Sequence, residues 1–578
     1  MKNSFTLLAA LCLFAFCADA QTNMLCTNPV AEQIMLGDYN PTAYLPTVSI
    51  SHPDDIVQAI MEGISTDSLK SYLLEMSVFQ NRNTGSDTVS NTFGIGAARR
   101  WVYQKFQAIS AANEGRLVPS YLQFDQNICG MGQHRNVFAV LPGVDTSVHG
   151  VILIEAHLDS RCDVLCDVTC PANGMEDNGS GTALVIELAR VLSQFSLKRT
   201  VVFMATIGEE QGLFGADAFA KYAKNKGIPL TAVLNNDVIG GVICGETSSP
   251  PSCPGFNHVD STQVRLFSQG SFNSRNKQLA RFIKLQYLEE VRDLVPVPML
   301  VTIMSAEDRT GRGGDHIPFR EQGFAAMRFT SANEHGNANV TDPNYHDRQH
   351  TSDDVLGVDT NGDAVLDSFF VDFNYLSRNA VINGNAAALA AIGPATPSFV
   401  ATRSSDMAFV EITDPYNYGL YRVFVRSTAN DFDSLFTTAQ TSFSFAKPDG
   451  VFYVSVASVD ENGIESLFSG EVIPSLVNAV GEAEKAEMPA VELLQNRPNP
   501  FDEATIISFI VNELRPYRKA ILSVLDLQGK VVWQQEVPLR LGMNEVLYEH
   551  GYNVTGVFAY RLVLDGKVVG TKEMVFAN

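Results

Sequence analysis

Apolar runs along the first two thirds of the chain break off abruptly at polar residues: VILIEA ends at His157, TVVFMATI at Gly208 and AVLN at Asn236. Short runs of this kind suggest strands, so the polar residues after them sit at strand ends. Between them, GTALVIELARVLSQF places Leu184, Leu188, Val191, Leu192 and Phe195 on one helical face. Strands alternating with amphipathic helices over residues 21–395 predict an α/β unit built on a largely parallel sheet. In such a sheet, ligands bind in the crevice outside the carboxyl ends of the strands.

GPATPSF, at residues 393–399, has the proline and small residues of a linker. The period then changes to two. YRVFVR (421–426), TSFSF (441–445) and VFYVSVASV (451–459) alternate between turn residues, which predicts a small β-sandwich over 396–475. A polar, Ala/Glu-rich stretch over 476–492 reads as a second linker. From Leu493 to residue 578, ILSVLDLQGKVVW and GVFAYRLVLDGK alternate again, predicting a second β-domain.

A length of 578 residues suggests three or four domains. The formal net charge of −23 argues against nucleic acid and anionic membrane surfaces, both of which need a basic patch. Residues 1–20 combine Lys2, an apolar stretch and Ala-Asp-Ala before Gln21, the pattern of a cleavable secretory signal. No later segment has the roughly 18 unbroken apolar residues of a membrane span. Cys12 and Cys17 would leave with the signal. Cys26, Cys129, Cys162, Cys166, Cys170, Cys244 and Cys253 remain, so an exported chain is expected to form disulfides with one thiol left over. Cys162, Cys166 and Cys170 lack the second pair of a structural zinc site, so disulfides stapling a loop are the better reading.

The strand ends carry the chemistry. His157, Asp159, Asp177, Glu209, Glu210 and Asp237, with His350 further on, supply the imidazoles and carboxylates that catalytic zinc takes as ligands. Two zincs about 3.5–4 Å apart need a bridging carboxylate. Asp177, ahead of a glycine turn and a helix, is the natural bridge. His157 and Asp159 lie two apart on a strand and share a face. His157 is expected as a ligand, with the Asp159 carboxylate fixing its tautomer. Glu209 and Glu210 project differently, which suits one to metal and the other to the proton.

The ordered set Asn83-Thr-Gly-Ser86, His134-Arg-Asn-Val-Phe-Ala-Val-Leu-Pro-Gly143, His157-Leu-Asp-Ser160, Glu176-Asp-Asn-Gly-Ser-Gly181, Gly208-Glu-Glu-Gln-Gly-Leu-Phe-Gly215, Asn235-Asn-Asp-Val-Ile-Gly240, Gly314-Asp-His-Ile-Pro-Phe319 and His350-Thr-Ser-Asp-Asp354 resembles the co-catalytic di-zinc aminopeptidase family. Its relatives include glutamate carboxypeptidase and the glutaminyl cyclases. The resemblance implies a zinc-exopeptidase fold of the phosphorylase/hydrolase-like type, peptide substrates and two Zn2+. Carried over, His157 and Asp237 hold one zinc, Glu210 and His350 the other, Asp177 bridges, and Glu209 is the general base. It also implies a cis peptide at Asp177-Asn178.

Tyr421-x-Val423-x-Val425 and the strand-turn from Tyr453 to Ser466 resemble a fibronectin type III domain, although Ile412 stands near the place of that family's usual tryptophan. Gln495-Asn-Arg-Pro-Asn-Pro-Phe501, Thr505-Ile-Ile-Ser-Phe509, Asp526-Leu-Gln-Gly-Lys530 and Gly556-Val-Phe-Ala-Tyr-Arg-Leu562 resemble the C-terminal sorting domain of type IX secretion substrates. That resemblance implies the type IX machinery as a partner and passage through periplasm and outer membrane, with the protein secreted or on the cell surface.

Other residues have plainer readings. His346 is a second candidate for the last ligand, though the His-Thr-x-x-Asp context favours His350. Asp315 and His316 are read as structural or substrate-facing. Gln349 stands where many relatives carry a tyrosine. Asp359, Asn361, Asp363 and Asp367 have the oxygen spacing of a calcium loop, or of an acidic surface turn. A single-zinc glutaminyl cyclase is the alternative within the fold. An inert surface binding protein is the alternative from another class, and retention of all five ligands and the base argues against it.

Overall fold

The computed structural model describes residues 21–145, 148–244, 258–270, 274–308, 312–332, 348–427, 429–476, 491–497, 499–501, 504–511, 519–526, 530–540, 542–550 and 556–576. The expected signal sequence, His346, Cys253 and most of the second linker lie outside these residues. The chain divides into two compact units, Met1–Ala401 with Ala408–Pro474, and Thr402–Met407 with Ser475–Asn578.

The first unit is organised by a nine-stranded mixed sheet. Its strands are β1 (Thr22–Cys26), β2 (Val118–Ile128), β3 (Met131–Leu141), β4 (Val151–His157), β5 (Thr200–Thr206), β6 (Leu230–Asn236), β7 (Gln263–Phe267), β8 (Leu300–Ile303) and β9 (Ala326–Ser331), in the order β1-β2-β3-β5-β4-β6-β9-β7-β8. The central strands β5, β4, β6 and β9 run parallel, whereas β1, β2 and β3 join the sheet antiparallel. Every residue of β4 and β5 is buried, because helices cover both faces there. The helix Ser180–Leu192 is buried on nearly every side and packs on β4 and β5, while Phe373–Ile392 packs beside it and also on β4, β5 and β6. Parallel alignment brings the carboxyl ends of β4, β5 and β6, at His157, Thr206 and Asn236, to one edge of the sheet.

A seven-stranded sandwich follows: Ser398–Arg403, Met407–Thr413, Ser442–Ala446 and the short Ser475–Leu476 in one sheet, and Leu420–Arg426, Ser434–Thr438 and Tyr453–Val459 in the other. The segment expected as a linker does not run free. Arg199 donates to the carbonyls of Gly393 and Pro394, and Thr396 donates to that of Leu467. Phe424, Ala457, Ile464 and Phe468 of the sandwich belong to the same buried apolar cluster as the α/β core.

The second unit contains two further sheets. Val491–Leu493, Ala504–Val511 and Gly542–Glu549 form one; Val531–Glu536, Ala520–Leu525, Gly556–Leu564 and Lys567–Phe576 form the other. Ile507, Phe509, Leu522, Tyr560, Leu562 and Met574 lie within its separate core. Among the described residues, no helix is long and apolar enough to cross a membrane.

Candidate metal centre

The carboxyl ends of the central strands, and the loops leaving them, bring the expected ligands together. His157 closes β4, and its Nε2 lies 3.1 Å from Asp177 Oδ1 and 3.3 Å from Asp237 Oδ1. His350 approaches from the other side, with Nε2 3.0 Å from Asp177 Oδ2 and 3.3 Å from Glu210 Oε2. Asp177 therefore turns one oxygen to each histidine, the arrangement a bridging carboxylate requires. Two overlapping groups have ligand atoms within 4.8 Å of one another: His157, Asp177 and Glu210, and His157, Glu209 and Asp237. Glu209 stands further off than Asp177 or Asp237, with its Oε2 4.0 Å from His157 Nε2.

Local structure holds these groups. The Asp177-Asn178 peptide is cis. Asp354 accepts the amides of Glu176 and Asp177 at 2.8 and 2.9 Å, fixing the start of the turn. Asn178 closes it by donating to the Asn236 carbonyl and accepting from the amides of Gly181 and Val238. A side chain at position 181 would put its Cβ 2.3 Å from the Asn236 oxygen, so only glycine lets the helix come this close to β6.

Asp159 faces His157 with both its backbone and its side chain. His157 Nδ1 donates to the backbone carbonyl of Asp159 at 3.0 Å, while the carboxylate is 3.7 Å away. The carbonyl fixes the tautomer and leaves Nε2 bare for a ligand role. The carboxylate instead accepts from Thr84 and from the amides of Glu209 and Glu210, which sets the backbone carrying both acids. Side-chain spacing on a strand cannot distinguish a residue's carbonyl from its carboxylate.

Three arginines missed in the sequence support the acids. Arg328 reaches Asp237 Oδ2 at 3.2 Å while gripping Asp308 with a second nitrogen. Arg161 places Nε 2.8 Å from Glu210 Oε2 and Nη2 2.6 Å from His350 Nδ1. Arg82, wholly buried, donates to the carbonyls of Leu158, Asn173 and Gly174, and burial pulls its pKa down to about 10. Adjacency to the His157-Leu-Asp-Ser160 and Asn83-Thr-Gly-Ser86 motifs was the available signal for Arg161 and Arg82. Arg328, on β9, had none.

The electrostatics are those of a site built for cations. Burial, with Asp177 nearby, holds the Glu210 carboxyl well above its usual range against the pull of Arg161. Burial does the same to Glu209, opposed by His157 and reinforced by Asp237 and Glu210. Burial opposes the charge on His157, but Glu209, Asp237 and Asp177 outweigh it and push its pKa well up. Burial lowers His350 to about 4 despite Asp177, leaving a neutral imidazole. Carboxylates packed together without water are costly unless positive charge compensates them. Three carboxylates and two imidazoles converging here fit divalent zinc.

Asp315 and His316 lie behind this set and join neither ligand group. Thr206 donates to Asp315, whose pKa burial raises to about 7, and His316 Nε2 faces the Glu307 carbonyl at 3.1 Å. Gln349 is fully buried beside His350. In the exposed 359–367 loop, Asp359 accepts the amides of Asn361, Gly362 and Ala364, and Asp367 accepts from Thr360, so the loop's own donors engage both carboxylates. Disulfides join Cys129 to Cys166 and Cys162 to Cys170, and Cys244 is also disulfide-bonded. Among the described residues, Cys26 is the free cysteine.

The ligand groups open into a cavity of about 330 Å³ lined by Arg161, Asp177, Glu209, Glu210, Gly212, Leu213, Asp237, Val238, Arg312, Gly313, Arg328 and His350. A mixed α/β sheet with nitrogen and oxygen ligands at its carboxyl edge defines the class as a zinc-type metallohydrolase. Residues 136–247 match the model of peptidase family M28. A probable zinc metalloprotease of Leptosphaeria maculans is 32% identical over 346 residues, covering 57% of this chain and 75% of that protein. One from Pyrenophora tritici-repentis is 31% identical over 362 residues, covering 60% and 79%. The chain belongs to peptidase family M28 and is a zinc-dependent peptidase. Among solved structures, the Legionella pneumophila LapA aminopeptidase aligns with a TM-score of 0.43 at 17% identity, covering 61% of this chain and 78% of that one. A Porphyromonas gingivalis glutaminyl cyclase aligns at 0.38 and 14%, covering 56% and 97%.

Proposed function

We propose that this protein is a secreted di-zinc aminopeptidase. The observation that carries the reading is Asp177, whose two oxygens face two histidines, each of which has one further carboxylate beside it. His157 and Asp237 would hold one ion, Glu210 and His350 the other, with Asp177 shared. Zinc in such a site supplies Lewis acidity toward a scissile carbonyl and makes water a nucleophile near neutral pH.

The chain's own groups do the rest. Glu209 lines the cavity and is left over once Asp177, Glu210 and Asp237 are assigned to metal, which suits it to take a proton from the attacking water. Glu209 then returns that proton to the leaving amine. The Asp159 carboxylate, through the Glu209 and Glu210 amides, keeps the two acids in their separate places. A cavity of about 330 Å³ suits one terminal residue. A calcium ion at Asp359, Asn361, Asp363 and Asp367 would be structural.

The test is metal analysis combined with hydrolysis of aminoacyl chromogenic amides. Two zincs per chain are expected at saturation, with activity abolished by a chelator and restored by zinc. One zinc per chain, with cyclisation of N-terminal glutamine in place of hydrolysis, would instead establish the glutaminyl cyclase reading.

Export completes the proposal: residues 1–20 as the signal, 396–475 as a fibronectin type III-like accessory sandwich, and the tail as a type IX sorting domain. The tail has its own core and carries none of the five ligands or the base. A chain ending near residue 480 is therefore expected to hydrolyse substrate at the full-length rate but fail to reach the exterior of a type IX-competent cell. Loss of activity in the purified, folded truncation would make the tail part of the enzyme.

A further inference from the structure

Residues 162–170 form a loop clamped twice. Cys162–Cys170 closes it, and Cys129–Cys166 ties its middle to the turn after β2. It is also fastened to the metal centre. Arg161 donates to the carbonyls of Cys162 and Asp163 while its Nε holds Glu210. The Leu165 carbonyl accepts from Asn83 at 2.9 Å and from Gln211, the residue after Glu210, at 3.4 Å.

The loop leaves apolar side chains to water. Asp167 accepts the amides of Thr169 and Cys170, whereas Val164, Leu165 and Val168 are 63%, 42% and 37% exposed. Three apolar side chains gathered on a rigid loop form a preorganised contact surface, because little ordering remains to be lost when something covers them. The cavity offers few such contacts: among the described residues that line it, Leu213 and Val238 are the large apolar side chains. Once the terminal residue fills the cavity, the remainder of a peptide must cross its mouth, and this loop is fastened to the Glu210 side of that mouth.

We infer that the 162–170 loop is an apolar lip that recognises substrate side chains beyond the scissile bond. Val164, Leu165 and Val168 would then select unstructured peptides with apolar residues in the second and third positions. This rests on the aminopeptidase reading, since only an exopeptidase leaves the rest of its substrate across the mouth.

The test compares the wild type with V164S/L165S/V168S on three substrates: a leucyl chromogenic anilide, a leucyl hexapeptide with phenylalanine at positions two and three, and the same hexapeptide with serine there. For the variant, kcat/KM on the phenylalanine peptide should fall about tenfold, or ~1.4 kcal/mol, through KM. The anilide, the serine peptide and the zinc content should be unchanged. Equal changes on all three substrates, or none, overturn the lip. A wild type that cleaves none of them overturns the aminopeptidase reading and the lip with it. Should the triple variant lose zinc, V164S alone must show the same selective fall at about threefold, and its absence is likewise decisive against the lip.

Discussion

Glu209→Gln is expected to retain its zinc and lose about 10²–10⁴-fold in turnover, the usual range for removing a general acid–base group. The substitution preserves size and the amide geometry set by Asp159, and removes only the ability to take and return a proton. Glu210→Gln should behave differently. Its Oε2 lies 3.3 Å from His350 Nε2, so weakening this oxygen should cost a zinc before it costs a proton transfer. Metal content and single-turnover rates, measured on both variants, separate the roles. If both lose zinc, or both keep it and slow alike, the division between the two glutamates is wrong.

Glu471→Ala is expected to destabilise the whole first unit by about 3–5 kcal/mol, the cost of removing one partner from a buried ion pair. Glu471 accepts two hydrogen bonds from Arg426 of the sandwich, at 2.8 and 2.6 Å, and lies 3.4 Å from Arg281 on the helix Arg275–Gln286 of the α/β part. All three side chains are about 1% exposed. Burial lowers the Arg281 pKa to about 10, with Glu471 opposing the fall. Around this centre, Phe468 meets Phe282 edge-on and Phe424 at a tilt, and Gln286 reaches Glu465 at 3.1 Å. Denaturant unfolding of the wild type should show one transition spanning both parts. In the variant its midpoint should drop without a second transition appearing. An independently melting sandwich, with the α/β part unmoved, would show that the two are separate after all.

These results bear on what the chain alone discloses. The strands ending at His157, Thr206 and Asn236 and the helix Ser180–Leu192 were legible because an apolar run's length and period are local properties, set by the residues within it. His157, Glu209, Glu210 and Asp237 could be placed at one sheet edge for the same reason, each standing at or just past the end of such a run, whereas Asp177 was read from the glycine turn ahead of a helix. The odd count of cysteines left one thiol over, but which pairs form and that Cys26 stays free needed the fold.

What needed the folded molecule was every choice between groups equally near in sequence, or support from groups far apart. Whether Asp159 meets His157 with its carbonyl or its carboxylate depends on a few ångströms of backbone placement. Arg328, Asp308 and Asp354 reach the site only because β9 lies beside β6 and the chain returns after it. The proline-bearing segment at 393–399 carries the composition of a flexible connector, yet Arg199, Leu467 and the shared core hold it in place. Composition sets how freely an isolated segment can move; which surfaces meet it, and what they bury there, is decided only once distant parts of the chain pack together.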